Sequence, residues 1–187
     1  MILASASPQR RAILTQVGLP FTVAPTGVEE EAQGEPRAVA AENARRKALG
    51  IRPRPPQLVL GADTLVAIDG VVLGKPRDAA QAVEYVGRLA GRAHQVVGAI
   101  ALAREGAVVA EAVEVTDVVF RALAAHEVEA YVALGEWDGR AGGYAIQGAG
   151  AALVRSISGD YSNVVGLPLA RLLDLLPLGG LQDVFAT

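Results

Sequence analysis

The chain contains no cysteine. That excludes disulfides, thiolate metal centres and a cysteine nucleophile, and it suits a reducing compartment. Only two histidines occur, His94 and His126, in different predicted elements. A histidine-based zinc site is therefore disfavoured, and each reads better as a packing or surface residue. Charge of either sign is not in large excess: 17 basic against 20 acidic residues leave a net charge of −3. No general nucleic-acid or membrane-binding surface is expected, so an anionic ligand would have to be met by a local basic pocket. The longest clean apolar run, Val96 to Ala103, is too short to span a bilayer. The N-terminal residues lack the charged lead and apolar core of a signal peptide, so a soluble cytoplasmic protein is the expectation. There is no G-x-x-x-x-G-K loop ending in Ser or Thr, and Gly148-Ala149-Gly150 lacks the third glycine of a dinucleotide fingerprint.

What is present is a chain of 187 residues, 51% hydrophobic and only 4% aromatic. That length suits a single domain, 1–187, with a core of small, tightly packed side chains. Strand-like and helical segments alternate. Ile2 to Ala4 reads as a short buried strand, with Ser7 as N-cap and Pro8 as first residue of a helix that Gly18 stops. Phe21 to Val23 reads as a strand, Thr26 to Glu31 as an acidic loop, and Pro36 opens a helix to about Gly50. A proline-rich connection follows at Arg52 to Pro56. Asp78 caps a helix with Ala82, Val83, Val86 and Leu89 at helical spacing. Gln95 to Ala103 and Ala107 to Phe120 are strand-like, and Ala124 to Leu134 is an amphipathic helix. Gly135 to Gly150 is glycine-rich, Ala151 to Ile157 reads as a strand, and Pro168 to Leu176 as a closing helix. The fold class is α/β, around a mixed sheet because hairpins add antiparallel pairs.

The organising stretch is Leu58 to Pro76. An apolar run leads into Asp63-Thr64, apolar residues resume, and Asp69-Gly70 turns the chain back toward Gly74-Lys75-Pro76. An Asp-Gly pair between apolar runs signals a hairpin, which would return Lys75 toward a strand end carrying Asp63. Two readings stand: a functional site, or an ion pair stabilising an ordinary hairpin. Ser5 to Arg11 places hydroxyls and Arg10 at a helix start, which suits phosphate; an ordinary capped helix is the alternative. Glu29-Glu30-Glu31, Glu42, Asp63 and Asp160 supply oxygen ligands of the kind a hard cation such as Mg²⁺ or Mn²⁺ takes, although an acidic run is usually a solvated loop. Arg10, Lys47, Lys75 and Arg140 supply positive charge for a polyanion.

Taken in order, SASPQRRAIL, TGVEE, ENARRKA, GADTLV with GKP, AGGYAIQG and GDYSNVVGLPL resemble the Maf family of nucleoside triphosphate pyrophosphatases from Ile2 to about Leu176. The resemblance implies an elongated mixed sheet flanked by helices, with two lobes around a central cleft, in a cytoplasmic and often homodimeric enzyme. It implies cleavage of a nucleoside triphosphate between the α and β phosphates with a divalent metal (Mg²⁺, Mn²⁺ or Co²⁺). Asp63 matches the family's proton acceptor, with Glu30 as a second metal-holding acid and Lys75 beside them. Ser5, Arg10, Lys47 and Arg140 match substrate-contacting positions, Arg140 standing where many members have Lys.

Gln9, Thr64 and Gln147 fall at the positions that sort the family by base. Thr64 and Gln147 are as in the branch that prefers dTTP and UTP, whereas Gln9 matches neither that branch nor the one preferring 7-methyl-GTP. The resemblance therefore implies dTTP/UTP as substrate. Alternatives are a pyrophosphatase for modified or purine nucleotides, or a nucleotide-binding regulator of septum formation.

Overall fold

A computed structural model describes residues 1–54 and 57–176. Part of the proline-rich connection (55–56) and the end of the single domain expected over 1–187 (177–187) lie outside the described residues. The strands are β1 (Ile2–Leu3), β2 (Thr22–Val23), β3 (Val59–Ile68), β4 (Val71–Leu73), β5 (Ala93–Arg104), β6 (Ala107–Phe120) and β7 (Val154–Ser158). The helices are α1 (Pro8–Gln16), α2 (Pro36–Leu49), α3 (Ala79–Leu89), α4 (Ala125–Ala133), α5 (Tyr161–Val165) and α6 (Leu169–Leu175). The sheet runs β2-β1-β3-β5-β6-β7, with β4 also paired to β3. The β1 pairings are parallel and the rest antiparallel, so the sheet is mixed.

Local chemistry explains the boundaries. Ser7 accepts the Arg10 amide and Pro8 occupies the first turn of α1. Asp78 caps α3 by accepting from the Gln81 amide at 2.8 Å. Asp69 and Gly70 both take positive φ (53° and 74°), the geometry of a two-residue hairpin turn. Along β3, Val59 and Leu65 lie in one apolar cluster with α2, while Leu60 and Ala62 join a second with α1 and α6. Val66 and Ile68 enter a third, with α3 and α4. Alternation along β3 places the second and third clusters on the same sheet face, and together they make the two expected lobes.

Three expectations need correction. Asp63 does not end a strand: β3 runs without a break from Val59 to Ile68, and Asp63 pairs with Ala99 of β5 in its middle. Gly61 is required by packing, because a Cβ there would lie 2.1 Å from the Ala44 carbonyl oxygen of α2. Residues Ala149–Leu153 form a 3-10 turn, so β7 starts only at Val154, and Tyr161–Val165 form a short helix in a stretch to which the sequence assigned no element.

Pairing along β3 also leaves a break. One edge is taken by β5 from Val59 to Ala67. On the other, β1 pairs at Val59 and Leu60 and β4 at Val66 to Ile68, so, among the described residues, 61–65 have no strand neighbour on that edge. The site lies at that break.

Candidate active site

A cavity of about 690 Å³ opens between the lobes. Its walls come from the β1–α1 connection and the first turn of α1, from Glu30, Lys47, Thr64 and Lys75, from the segment between α4 and β7, and from the end of α5. It falls within the size range of pockets for nucleotide-sized ligands. Of the residues expected to form a site, Ser5, Gln9, Arg10, Glu30, Lys47, Thr64, Lys75, Arg140 and Gln147 all border it.

Asp63 stands one layer behind. Its side chain is buried, and both oxygens are engaged by α2: Lys47 Nζ donates to Oδ1 at 2.7 Å and Asn43 Nδ2 to Oδ2 at 2.9 Å. Lys47 Nζ also lies 2.6 Å from Glu30 Oε1 and so joins the two carboxylates at the cavity wall. The ion-pair partner of Asp63 is therefore Lys47. Lys75 is exposed and makes no ion pair among the described residues, although its charge reaches Glu30. The hairpin does return Lys75 to the cavity, but it leaves Asp63 to the helix packed over β3. Burial alone pushes the Glu30 carboxyl up; the hydrogen bond and charge of Lys47, with Lys75 and Arg10, outweigh it and hold Glu30 below its ordinary value.

On the opposite face of β3 lies a second network. Arg10 is 8% exposed, and its guanidinium donates to Ser5 Oγ (3.0 Å), Thr64 Oγ1 (3.1 Å) and the Gly166 carbonyl (2.9 Å). All three acceptors are neutral. Burial pulls the Arg10 guanidinium down, against the raising influence of Asp63 and Glu30. A cation desolvated in this way, with no carboxylate in contact among the described residues, favours an incoming anion. The Thr64 hydroxyl also donates to the Gly166 carbonyl, so it belongs to this scaffold as well as to the wall.

The remaining wall is set by short contacts. Gly142 donates its amide to the Gly74 carbonyl, and a Cβ there would sit 2.8 Å from Val66, so only glycine lets this segment lie against the hairpin beside Lys75. Arg140 Nε is buried without a partner among the described residues. The Glu136 carboxylate accepts from the amides of Ala149 and Gly150 and fixes the turn that follows Gln147. Ser7 Oγ donates to Gln9 Oε1, which leaves the Gln9 amide nitrogen as its uncommitted face. The residue that sequence reasoning missed is Asn43. The signal for it was its spacing: Asn43 and Lys47 are four apart on α2, and so share a face.

Among the described residues no group of three His, Cys, Asp or Glu side chains is placed to hold a metal. Glu30 and Asp63 offer oxygen donors only. That set fits an ion such as Mg²⁺, which takes one or two carboxylates and completes its shell with phosphate oxygens and water. It does not fit an all-protein cage. No described helix is long and apolar enough to cross a membrane. His94 is a core residue, 3.0 Å from the Tyr144 hydroxyl through Nε2 and edge-on to Phe120.

The chain is 49% identical over 179 residues to a dTTP/UTP pyrophosphatase of Symbiobacterium thermophilum, covering 94% of this chain and 92% of that protein. It is 46% identical over 177 residues to the dTTP/UTP pyrophosphatase of Pectobacterium atrosepticum, covering 91% and 88%. A HAM1 protein structure from Coxiella burnetii overlaps 62% of this chain and 68% of its own at a TM-score of 0.44 and 20% identity. A family model described as Maf-like protein matches residues 1–178, and the chain belongs to the Maf family.

Proposed function

We propose that the protein hydrolyses nucleoside triphosphates between the α and β phosphates, giving the monophosphate and pyrophosphate, with dTTP and UTP as preferred substrates. Such an activity clears the nucleotide pool of unwanted triphosphates. The observation that carries the reading is the pair of faces on β3: a carboxylate cluster on one, a desolvated arginine on the other, both meeting one cavity.

In this reading the triphosphate lies between Arg10, with Ser5 beneath it, and the cations Lys47, Lys75 and Arg140. Lys47 turns from Asp63 toward phosphate oxygens, which exposes Asp63 Oδ1. That oxygen takes a proton from a water in line with the bridging oxygen, and the water oxygen bonds to the α-phosphorus as the bond to the β-phosphate oxygen breaks. Pyrophosphate leaves with its charge met by Lys75, Arg10 and Arg140. A divalent ion (Mg²⁺, Mn²⁺ or Co²⁺), held by Glu30, Asp63 and phosphate oxygens, would supply Lewis-acid charge. The base is read from the side of Gln9 and Gln147: the Gln9 amide nitrogen donates, which suits the carbonyl oxygens of uracil or thymine. The working compartment is the cytoplasm and the assembled form a homodimer, checked by sedimentation.

A second reading, nucleotide binding without turnover, is favoured by one observation: Lys47 stands between Asp63 and the cavity. Incubation with dTTP, UTP, CTP, GTP, ATP, dITP and 7-methyl-GTP, each with Mg²⁺, Mn²⁺ or Co²⁺, separates the two readings. Release of pyrophosphate and monophosphate, fastest from dTTP and UTP, is the expected result. Release of orthophosphate would overturn the reaction type, and preference for a purine would overturn the specificity. Tight binding with no product would favour the second reading.

A further inference from the structure

We propose that Asn43 is a positioning residue, which orients the Asp63 carboxylate and ties the loop bearing Glu30 to α2; its kinetic consequence rests on the pyrophosphatase reading given above. Asn43 is 1% exposed, and every polar atom of its side chain is used. Oδ1 accepts from the Glu31 amide at 2.7 Å. Nδ2 donates to the Glu31 carbonyl at 3.0 Å and to Asp63 Oδ2 at 2.9 Å. The orientation of the amide has one solution. A backbone N–H can only donate, so Oδ1 must face it, and Nδ2 is then turned to a carboxylate that can only accept.

Asn43 and Lys47 lie side by side on α2, and each holds one oxygen of the same carboxylate. They differ in position. Lys47 borders the cavity and can be drawn to an incoming phosphate; Asn43 lies outside the wall and cannot. When Lys47 leaves, the Asn43 amide is the side-chain contact that keeps Asp63 aimed. The same amide pins both backbone polar groups of Glu31, next in the chain to Glu30, whose own side chain is 44% exposed and reaches Lys47. One buried side chain therefore sets the distance between the two acids of the site. Small displacements at a reacting centre are costly: an error of about 1 Å can lower a rate about 100-fold. Substrate affinity, by contrast, rests on cations that Asn43 does not touch. The loss should fall on kcat rather than KM.

Three proteins test this: the wild type, Asn43→Ala and Asn43→Asp. Each is measured for pyrophosphate release from dTTP and UTP, for hydrogen exchange at the Glu31 amide, and for thermal unfolding. In Asn43→Ala, kcat should fall about 100-fold with KM within about threefold, and the Glu31 amide should lose protection. Asn43→Asp keeps an acceptor for that amide but, while ionised, cannot donate to Asp63. It should keep Glu31 protected and still lose kcat as Asn43→Ala does. An Asn43→Asp enzyme of near wild-type kcat would reduce Asn43 to a loop clamp and overturn the positioning role. A rise in KM with kcat intact would overturn it too. Unchanged Glu31 protection in Asn43→Ala would overturn the clamp. A wild type that releases no pyrophosphate would overturn the enzyme reading and the kinetic half of this one, while the exchange result still decides the clamp. Should Asn43→Ala fail to fold, Asn43→Asp alone decides the positioning role.

Discussion

Lys47 Nζ lies 2.7 Å from Asp63 Oδ1 and screens that carboxylate from the cavity. The two side chains are 9% and 6% exposed, so neither charge has water as a substitute partner. Removing one charge of a buried pair strands the other, at a cost of about 3–5 kcal/mol. Lys47→Ala should therefore unfold well below the wild type in urea or on heating. Lys75→Ala should not, because the exposed Lys75 pairs with no carboxylate among the described residues. Its effect should be a KM for nucleotide raised about tenfold, the scale of one charge-assisted hydrogen bond. Equal thermal stability of the two variants would contradict the division of labour drawn from the geometry.

Asp63→Asn should lower pyrophosphate release about 10²–10⁴-fold, the range lost with a positioned proton acceptor. The loss of stability should be smaller than in Lys47→Ala, because Lys47 keeps Glu30 as a carboxylate partner when Asp63 loses its charge. Both partners of Asp63 are donors, Lys47 Nζ and Asn43 Nδ2, and an asparagine amide must turn its own NH₂ toward one of them. A variant with near-normal turnover would remove Asp63 from the chemistry altogether.

Gly61→Ala tests the seating of α2 on β3. The added methyl would lie 2.1 Å from Ala44 O and 2.4 Å from Ala48 N, both backbone atoms that cannot turn aside. The helix must lift, at a cost of about 3 kcal/mol or more, and Asn43 and Lys47 lift with it. Stability and turnover should fall together. Loss of either one alone would show that α2 moves independently of Asp63.

His94 makes stability depend on pH. Burial lowers its imidazole from 6.5 to about 4. The unfolded chain then takes up a proton that the folded one refuses. Stability is whole above pH 6.5 and falls as the pH drops from about 6.5 toward 4, by about 3 kcal/mol over the window. Urea unfolding at intervals from pH 7 to 4.5 should show this decline, and His94→Leu should flatten the part above pH 5. A decline of equal slope in that variant would assign it to other groups.

Elements announced by local chemistry were legible in the sequence. Ser7 and Pro8, Asp78, and Asp69-Gly70 mark their boundaries because caps and turns depend on residues within one turn of themselves. The order of strands and helices followed from such marks. What was not legible depends on which element packs over which. Asp63 appeared to end a strand because a carboxylate follows the apolar run, whereas β3 carries it through its middle with α2 packed over it. Lys75 was expected beside Asp63 on hairpin geometry, but Lys47 reaches it from 16 residues upstream, across a helix–sheet contact that no local pattern records. Asn43 carried no mark of its own beyond its spacing from Lys47. The short α5 and the 3-10 turn before β7 are held by contacts such as Asp160 with Ser162 and Glu136 with Ala149, which lie in stretches of weak periodicity.

The break in pairing along β3 makes the site unequal in stiffness. Asp63 and Thr64 ride on a backbone laddered to β5 through nine successive residues. Glu30 rides on a strand-free loop anchored to α2 through Asn43. Thermal fluctuation should therefore be larger on the acidic-loop side than along β3, which hydrogen exchange of the two backbones would check. Tightening around a ligand should then be a movement of the loop toward the sheet, with the sheet as the fixed frame.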